Sequence, residues 1–368
     1  MKEIKSILSL YNKLRSTNEK AAIAQVVRVE ESSYRREGAR MLVFESGVFE
    51  GGISGGCLEG DALKRSQVAI LKQQPSIVTY DTSKEKEIGV GLGCNGIIDV
   101  LISPISEESD IMTMLQHCVS HRGEHVIATV TALNGVFESI YLGRSFYYDA
   151  HASTLKDCAH SGLREFMLDR ITDVLEGKKS RTYHFISEDV KVSVFIELIP
   201  PQFHLAIYGD NYDVYPMLEM AKVLDWEVSL VGNIQKLKKE KLQSVANLYP
   251  KNLEERPEID NRTAIILMAH DCKTDSSNLK NLIKSPAHYI ASLGPRKRYE
   301  KMMDEFKGKG IVFTAKEQQR IFAPCGLEIG GNTPEEIATS IFAEILGVFS
   351  GNSGGMLRDK KGPIHERD

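Results

Sequence analysis

His204-Leu-Ala-Ile-Tyr-Gly209 and, shortly downstream, Trp226-Glu-Val-Ser-Leu-Val-Gly232 are two short apolar runs that each end in glycine, with a helix-forming segment over residues 214–224 between them. Apolar runs of this length bounded by turn residues read as buried strands. Residues 263–268 and 289–293 read as further strands, each followed by a helical stretch. Strands alternating with helices call for a doubly wound parallel sheet, so the second half of the chain is expected to be a Rossmann-like domain. Pro200-Pro201 breaks the chain ahead of it and sets the expected boundary. The division is then 1–200, 201–349 and a flexible tail over 350–368, where glycines and mixed charge accumulate.

The nucleotide signature of this domain is poor. Gly-x-Gly-x-x-Gly would fall on Gly209, Asn211 and Val214, so only the first glycine is present. Gly232-Asn233 stands where an acidic residue would bind a ribose. A side chain at Asn211 intrudes where a pyrophosphate would pass, which disfavours NAD(P). The strand ends remain the expected site face and point to Gly209, Asp210, His270, Asp271, Gly294 and Arg296. His270 is a candidate proton shuttle beside Asp271, although a strand-end histidine more often makes only a structural hydrogen bond.

Upstream, the pattern is a mixed α/β domain. Residues 1–20 read as an amphipathic helix and residues 22–29 as a strand. The run Met41-Leu-Val-Phe44 reads as a second strand that enters Gly51-Gly52-Ile53-Ser54-Gly55-Gly56-Cys57-Leu58-Glu59. Four glycines in six positions free the backbone to turn, and residues 58–70 read as a helix. Cys57 thus falls at a helix N-terminus, where unpaired N–H groups and the helix dipole favour an anion and a thiolate. A second loop repeats the theme: Gly91, Gly93 and Gly96 surround Cys94 before a strand over 97–102. Between the first two strands, residues 30–40 carry Ser33, Tyr34, Arg35, Arg36 and Arg40, a set whose forked guanidiniums suit phosphate. Plain tight turns, buried cysteines and arginines paired with Glu30, Glu31 and Glu37 would account for the same residues.

Further on, residues 109–121 and 163–175 read as helices, and residues 126–133, 139–142, 182–186 and 192–199 as strands. His117, His121 and His125 invite a metal reading, but they span a helix, its end and a strand start, so their side chains need not converge and surface histidines are the better reading.

The chain has 368 residues, 46 Lys plus Arg against 50 Asp plus Glu, and a formal net charge of −4. With no basic stripe, neither nucleic acid nor an anionic membrane is expected as a partner. No signal-peptide pattern or membrane-length apolar run is read, so a cytoplasmic location is expected. None of the six cysteines forms a Cys-x-x-Cys pair, which gives no zinc ribbon or redox motif.

Several long motifs together carry a resemblance. Ser32-Ser33-Tyr34-Arg35-Arg36-x-Gly38-Ala39-Arg40-Met41, the loop from Gly51 to Glu59, and Gly91-Leu92-Gly93-Cys94-x-Gly96 resemble the XdhC/CoxI family of xanthine dehydrogenase accessory proteins. His270-Asp271, Leu293-Gly294-x-Arg296 and Gly326-Leu327-x-Ile329-Gly330, leading into Thr333-Pro334-Glu335-Glu336-Ile337-Ala338, extend the resemblance to about residue 350. It implies a factor that binds the molybdenum cofactor (a molybdopterin), supports its sulfuration with a cysteine desulfurase, and delivers it to an apo-hydroxylase of the xanthine dehydrogenase class. Such a factor is a cofactor-binding chaperone more than an enzyme with its own turnover. On this reading Ser33, Arg35, Arg36, Gly51, Gly52, Ser54, Gly55, Gly56, Cys57, Glu59, Gly91, Gly93, Cys94 and Gly96 are candidate cofactor-binding residues, with Cys57 also facing the metal. Gly209-Asp210-Asn211 departs from the family's usual Gly-Ala-Gly turn. An NAD(P)-dependent oxidoreductase and a non-catalytic docking scaffold stay open as alternatives, and a homodimer is compatible with the apolar content.

Overall fold

The computed structural model describes residues 1–31, 33–81, 96–106, 110–135, 139–187, 190–251 and 254–361. The chain divides into two compact units, Met1–Pro201 and Gln202–Asp368.

The first unit is mixed α/β. Helix α1 (Lys2–Leu14) precedes strands β1 (Ala21–Glu31), β2 (Arg40–Phe44) and β3 (Phe49–Gly51), helix α2 (Glu59–Lys72), and strands β4 (Ser76–Asp81) and β5 (Gly96–Ile105). These strands form an antiparallel sheet in the order β3-β2-β1-β5-β4. Strand β1 is buried on both faces, and its period of two divides its side chains. Ala22, Ala24 and Val26 pack with Ala62, Ala69 and Ile70 of α2, whereas Ala21 and Ile23 pack with Ile4, Ile7 and Leu8 of α1. Helix α3 (Ile111–Ser120) joins the α1 side through Ile111, Met114, Leu115 and Cys118.

A second antiparallel sheet, ordered β7-β6-β9-β8, uses β6 (His125–Asn134), β7 (Ser145–Tyr148), β8 (Arg181–Ser187) and β9 (Val190–Ile199). Helix α4 (Ser161–Gly177) covers it with Leu163, Met167, Ile171 and Val174. The strand expected over 139–142 is not one. Gly143 turns at φ +84° and Arg144 N–H bonds Tyr141 O, so the chain is still turning there and pairing with β6 begins at Ser145. The strand expected over 41–44, read as entering the glycine loop itself, is separated from it by a hairpin. Gly47, at φ +89°, reverses the chain into β3, and β3 is the strand that enters the glycine loop.

The second unit carries six parallel strands in the order β12-β11-β10-β13-β14-β15: β10 (His204–Tyr208), β11 (Glu227–Gly232), β12 (Asn247–Pro250), β13 (Thr263–Leu267), β14 (Tyr289–Ser292) and β15 (Ile321–Phe322). Alternation along β10 sends Leu205 and Ile207 to the face covered by α5 (Val214–Leu224), and Ala206 and Tyr208 to the face covered by α6 (Cys272–Leu282) and α7 (Arg296–Gly308). This is the doubly wound arrangement expected from the sequence. After the single turn α8 (Ala315–Gln318), helix α9 (Pro334–Ser350) begins with the expected capping box: Thr333 accepts from Glu336 N–H, and Glu336 accepts from Thr333 N–H. Beyond it, Leu357–Asp359 forms a 3-10 turn; residues 362–368 of the expected tail lie outside the described residues.

Candidate functional site

The Gly51–Glu59 loop is built around a carboxylate. Gly51 sits at φ +84°, where a Cβ would meet Arg40 O at 2.3 Å, so glycine is required. Gly52 N–H bonds that same carbonyl at 2.8 Å. The chain then folds back over Glu59, whose carboxylate accepts the N–H groups of Ile53 (3.2 Å) and Ser54 (2.8 Å) and the Ser54 hydroxyl. Burial opposes ionisation of Glu59, but these donors outweigh it and hold its carboxyl below the ordinary value. Ser54 Oγ in turn accepts from Leu58 N–H (3.1 Å) and Gly56 N–H (3.3 Å) and stands 3.6 Å from Cys57 Sγ.

The N–H groups of Ile53 and Ser54 are thus spent on the chain's own carboxylate, and that of Gly56 on Ser54 Oγ. Gly55, Gly56 and Cys57 remain exposed at the crest, and the N–H groups of Gly55 and Cys57 have no acceptor among the described residues. Cys57 lies one residue ahead of Leu58, the N-cap of α2. Among the described residues no side chain at Leu58 caps that helix, and Glu59 and Asp61 occupy its first turn.

The loop before β2 reaches this crest. A Cβ on Gly55 would meet the ring of Tyr34 at 3.2–3.5 Å, which brings two of the sequence motifs into contact. Ser33 is half-buried nearby in the chain. The arginines take partners that local sequence does not reveal. Arg35 pairs with Glu3 of α1, and Arg40 with Glu197 of β9, 157 residues away. Neither uses Glu30, Glu31 or Glu37; Glu30 pairs with Arg28 instead. The Arg40–Glu197 pair is buried, and Gln25 donates to the same carboxylate at 2.9 Å. Burial pushes the Glu197 carboxyl upward against the pull of Arg40. Arg36 is exposed and makes no ion pair among the described residues.

Gly91, Gly93 and Cys94 lie outside the described residues. Gly96 does not sit in a loop: it opens β5, paired with Glu31.

The histidine reading needs correction. His117 and His121, a helical turn apart, stack with ring centroids 4.0 Å apart, and His125 is buried with its ring 6.1 Å from that of His117. His125 bonds Tyr147 Oη (2.6 Å) and His121 O (2.8 Å), and Tyr147 donates to Asp149. The α3-to-β6 turn folds back on itself, which linear spacing did not convey. Among the described residues no group of three or more His, Cys, Asp or Glu side chains is placed to hold a metal ion.

In the second unit, the strand ends carry Gly209, Asp210, His270, Asp271, Gly294 and Arg296 as expected. Gly209 is needed because a Cβ would meet Met268 O at 2.6 Å. Asp210 accepts from Asn233 N–H (2.8 Å) and Lys236 Nζ (3.1 Å). Burial works against its ionisation, yet those two donors keep its carboxyl below the usual range. His270, at φ +58°, turns to Asp213 (Nε2 to Oδ2, 2.5 Å) and not to Asp271. Asp271 instead caps α6 by accepting Thr274 N–H at 2.9 Å. Arg296 is the exposed first residue of α7, after Gly294 at φ +135°. Asp213 escaped the sequence reading. It is the N-cap of α5 and sets a carboxylate where a dinucleotide's pyrophosphate would need positive field.

These features define a two-domain α/β protein with an exposed cysteine on a carboxylate-braced glycine loop in one unit and a Rossmann-type sheet in the other. Residues 14–81 match the model of the XdhC and CoxI family and residues 205–345 that of the XdhC Rossmann domain, and the chain belongs to the XdhC/CoxI family. It is similar to a probable xanthine dehydrogenase subunit of Bacillus subtilis, 26% identical over 348 residues that cover 92% of this chain and 96% of that one. Over 89 residues, 24% of this chain and 16% of the other, it is 33% identical to the uncharacterized protein YqeB of Escherichia coli. A crystal structure described as a xanthine dehydrogenase from Bacillus halodurans shares the fold, with a TM-score of 0.70 and 22% identity over 94% of this chain and 96% of that one.

Proposed function

We propose that this chain is a cytoplasmic accessory factor of a xanthine dehydrogenase-class hydroxylase: it binds the molybdenum cofactor, supports its sulfuration together with a cysteine desulfurase, and hands it on. Family membership and the Bacillus subtilis relative support the link to xanthine dehydrogenase. The observation that carries the cofactor reading is the crest of the glycine loop, where an exposed thiol and two N–H groups uncommitted among the described residues fall within three positions and the Tyr34 ring lies against Gly55.

The donor set fits a molybdopterin. When bound, that group supplies a molybdenum–dithiolene centre whose terminal oxygen is exchangeable for sulfur. The N–H groups of Gly55 and Cys57 would take its phosphate or oxo oxygens, and the Tyr34 ring would cover a flat pterin. Cys57 would offer a soft sulfur toward the metal. Arg35, paired with Glu3, and Glu59 hold the two loops in place. A crest this open suits cargo that must leave again, since tight enclosure would oppose delivery.

At the α5 N-terminus, Asp213 and Asn211 argue against an NAD(P)-dependent oxidoreductase. The reading is tested by isolating the full chain from molybdate-supplied cells and assaying molybdenum and oxidised-pterin fluorescence. Copurification of both is expected; binding and turnover of a nicotinamide nucleotide without either would replace this reading.

A further inference from the structure

A cavity of about 320 Å³ opens in the first unit, lined by Glu3 of α1, residues 35–40, and Glu197 of β9 among others. Its charges are unevenly committed. Glu197 is matched by Arg40 and Gln25, and Glu37 accepts Val29 N–H at 3.1 Å. Glu3 accepts Arg40 N–H at 3.0 Å and pairs with Arg35. Among the described residues the Arg36 side chain has no partner, and the Nε of Arg40, whose side chain is only 2% exposed, has no acceptor. A backbone N–H and a forked guanidinium converging on one carboxylate are the donors an oxyanion would use.

We propose that this cavity is a phosphate-class oxyanion site in which the Glu3 carboxylate acts as an internal stand-in, displaced when an anion arrives and engages Arg35, Arg36 and the Arg40 N–H. The lining of this cavity does not include Gly55, Gly56 or Cys57, and the proposal holds whether or not the crest receives a molybdopterin. A free oxyanion and the phosphoryl end of a larger ligand present the same chemistry here.

Titration calorimetry of the full chain with orthophosphate at low salt tests the site. Saturable one-to-one binding is expected. Arg36→Ala should weaken it about tenfold, the loss of one charge-assisted contact. Glu3→Gln should tighten it several-fold, because the amide oxygen still accepts Arg40 N–H but no longer competes as an anion. Absence of saturable binding in both the wild type and Glu3→Gln, or equal affinity in Arg36→Ala with unchanged circular dichroism, overturns the proposal. Phenyl phosphate binding more tightly than orthophosphate supports a phosphoryl end carried on a larger ligand; equal or weaker binding supports a site for the free anion. Neither readout involves molybdenum, so failure here is distinct from failure of the cofactor reading.

Discussion

The ring of Tyr34 lies over Gly55, so close that a methyl group on Gly55 would meet Tyr34 Cγ at 3.2 Å. This contact joins the loop before β2 to the crest that carries Cys57. Tyr34 is 76% exposed, so it contributes little to the core. Tyr34→Ala should therefore leave the unfolding free energy within about 0.5 kcal/mol of the wild type, as for ordinary surface changes. It should nevertheless lower cofactor retention, read as pterin fluorescence per mole of protein. Unchanged retention would show that the ring is not part of the site.

Glu59 acts as an anion supplied by the chain itself. Glu59→Ala leaves the Ile53 and Ser54 N–H groups without their acceptor and should cost about 1–3 kcal/mol in urea unfolding. The pH dependence follows from the sign of its shift. With the folded-state pKa lowered from 4.5, its contribution is complete above the unfolded value and is lost as pH falls through the lower folded one. The urea midpoint should accordingly fall below about pH 4.5 in the wild type, and Glu59→Gln should flatten that part of the profile.

Arg40 binds three parts of the first unit: its carbonyl holds Gly52, its N–H holds Glu3, and its guanidinium meets Glu197. Arg40→Met strands a buried carboxylate and should cost about 3–5 kcal/mol, whereas Arg40→Met with Glu197→Met should recover much of that loss. Thermal unfolding of the single and double variants measures the difference.

Burial pushes the His125 pKa below its ordinary 6.5 against the pull of its hydrogen bonds. The unfolded chain then takes up a proton that the folded one refuses, so stability falls as pH drops below 6.5. His125→Gln should flatten that part of the stability profile, measured as the urea midpoint between about pH 7 and pH 5.

Much of the fold was legible because the strands of the second unit are short apolar runs punctuated by glycine, and the box Thr333–Glu336 is a local signal. The order of strands, and β12 and β15, were not read, since both are brief edge strands with weak patterns. In the site, the glycine at 51 and the cysteine at 57 were visible as sequence. Glu3, Glu197 and Asp213 were not, because their partners lie 32, 157 and 57 residues away and nothing local encodes those pairings. The three histidines show the same limit: a turn folds them together where spacing alone suggested separation.

Replacement of Cys57 tests the central claim most directly. Its side chain is exposed, and among the described residues its one hydrogen-bond contact is the 3.6 Å one with Ser54, so Cys57→Ala should fold with an unchanged unfolding midpoint. Measured on the full chain purified from molybdate-supplied cells, the variant is predicted to lose most of the bound molybdenum and pterin that the wild type carries. Equal molybdenum and pterin content in the two proteins would contradict the account.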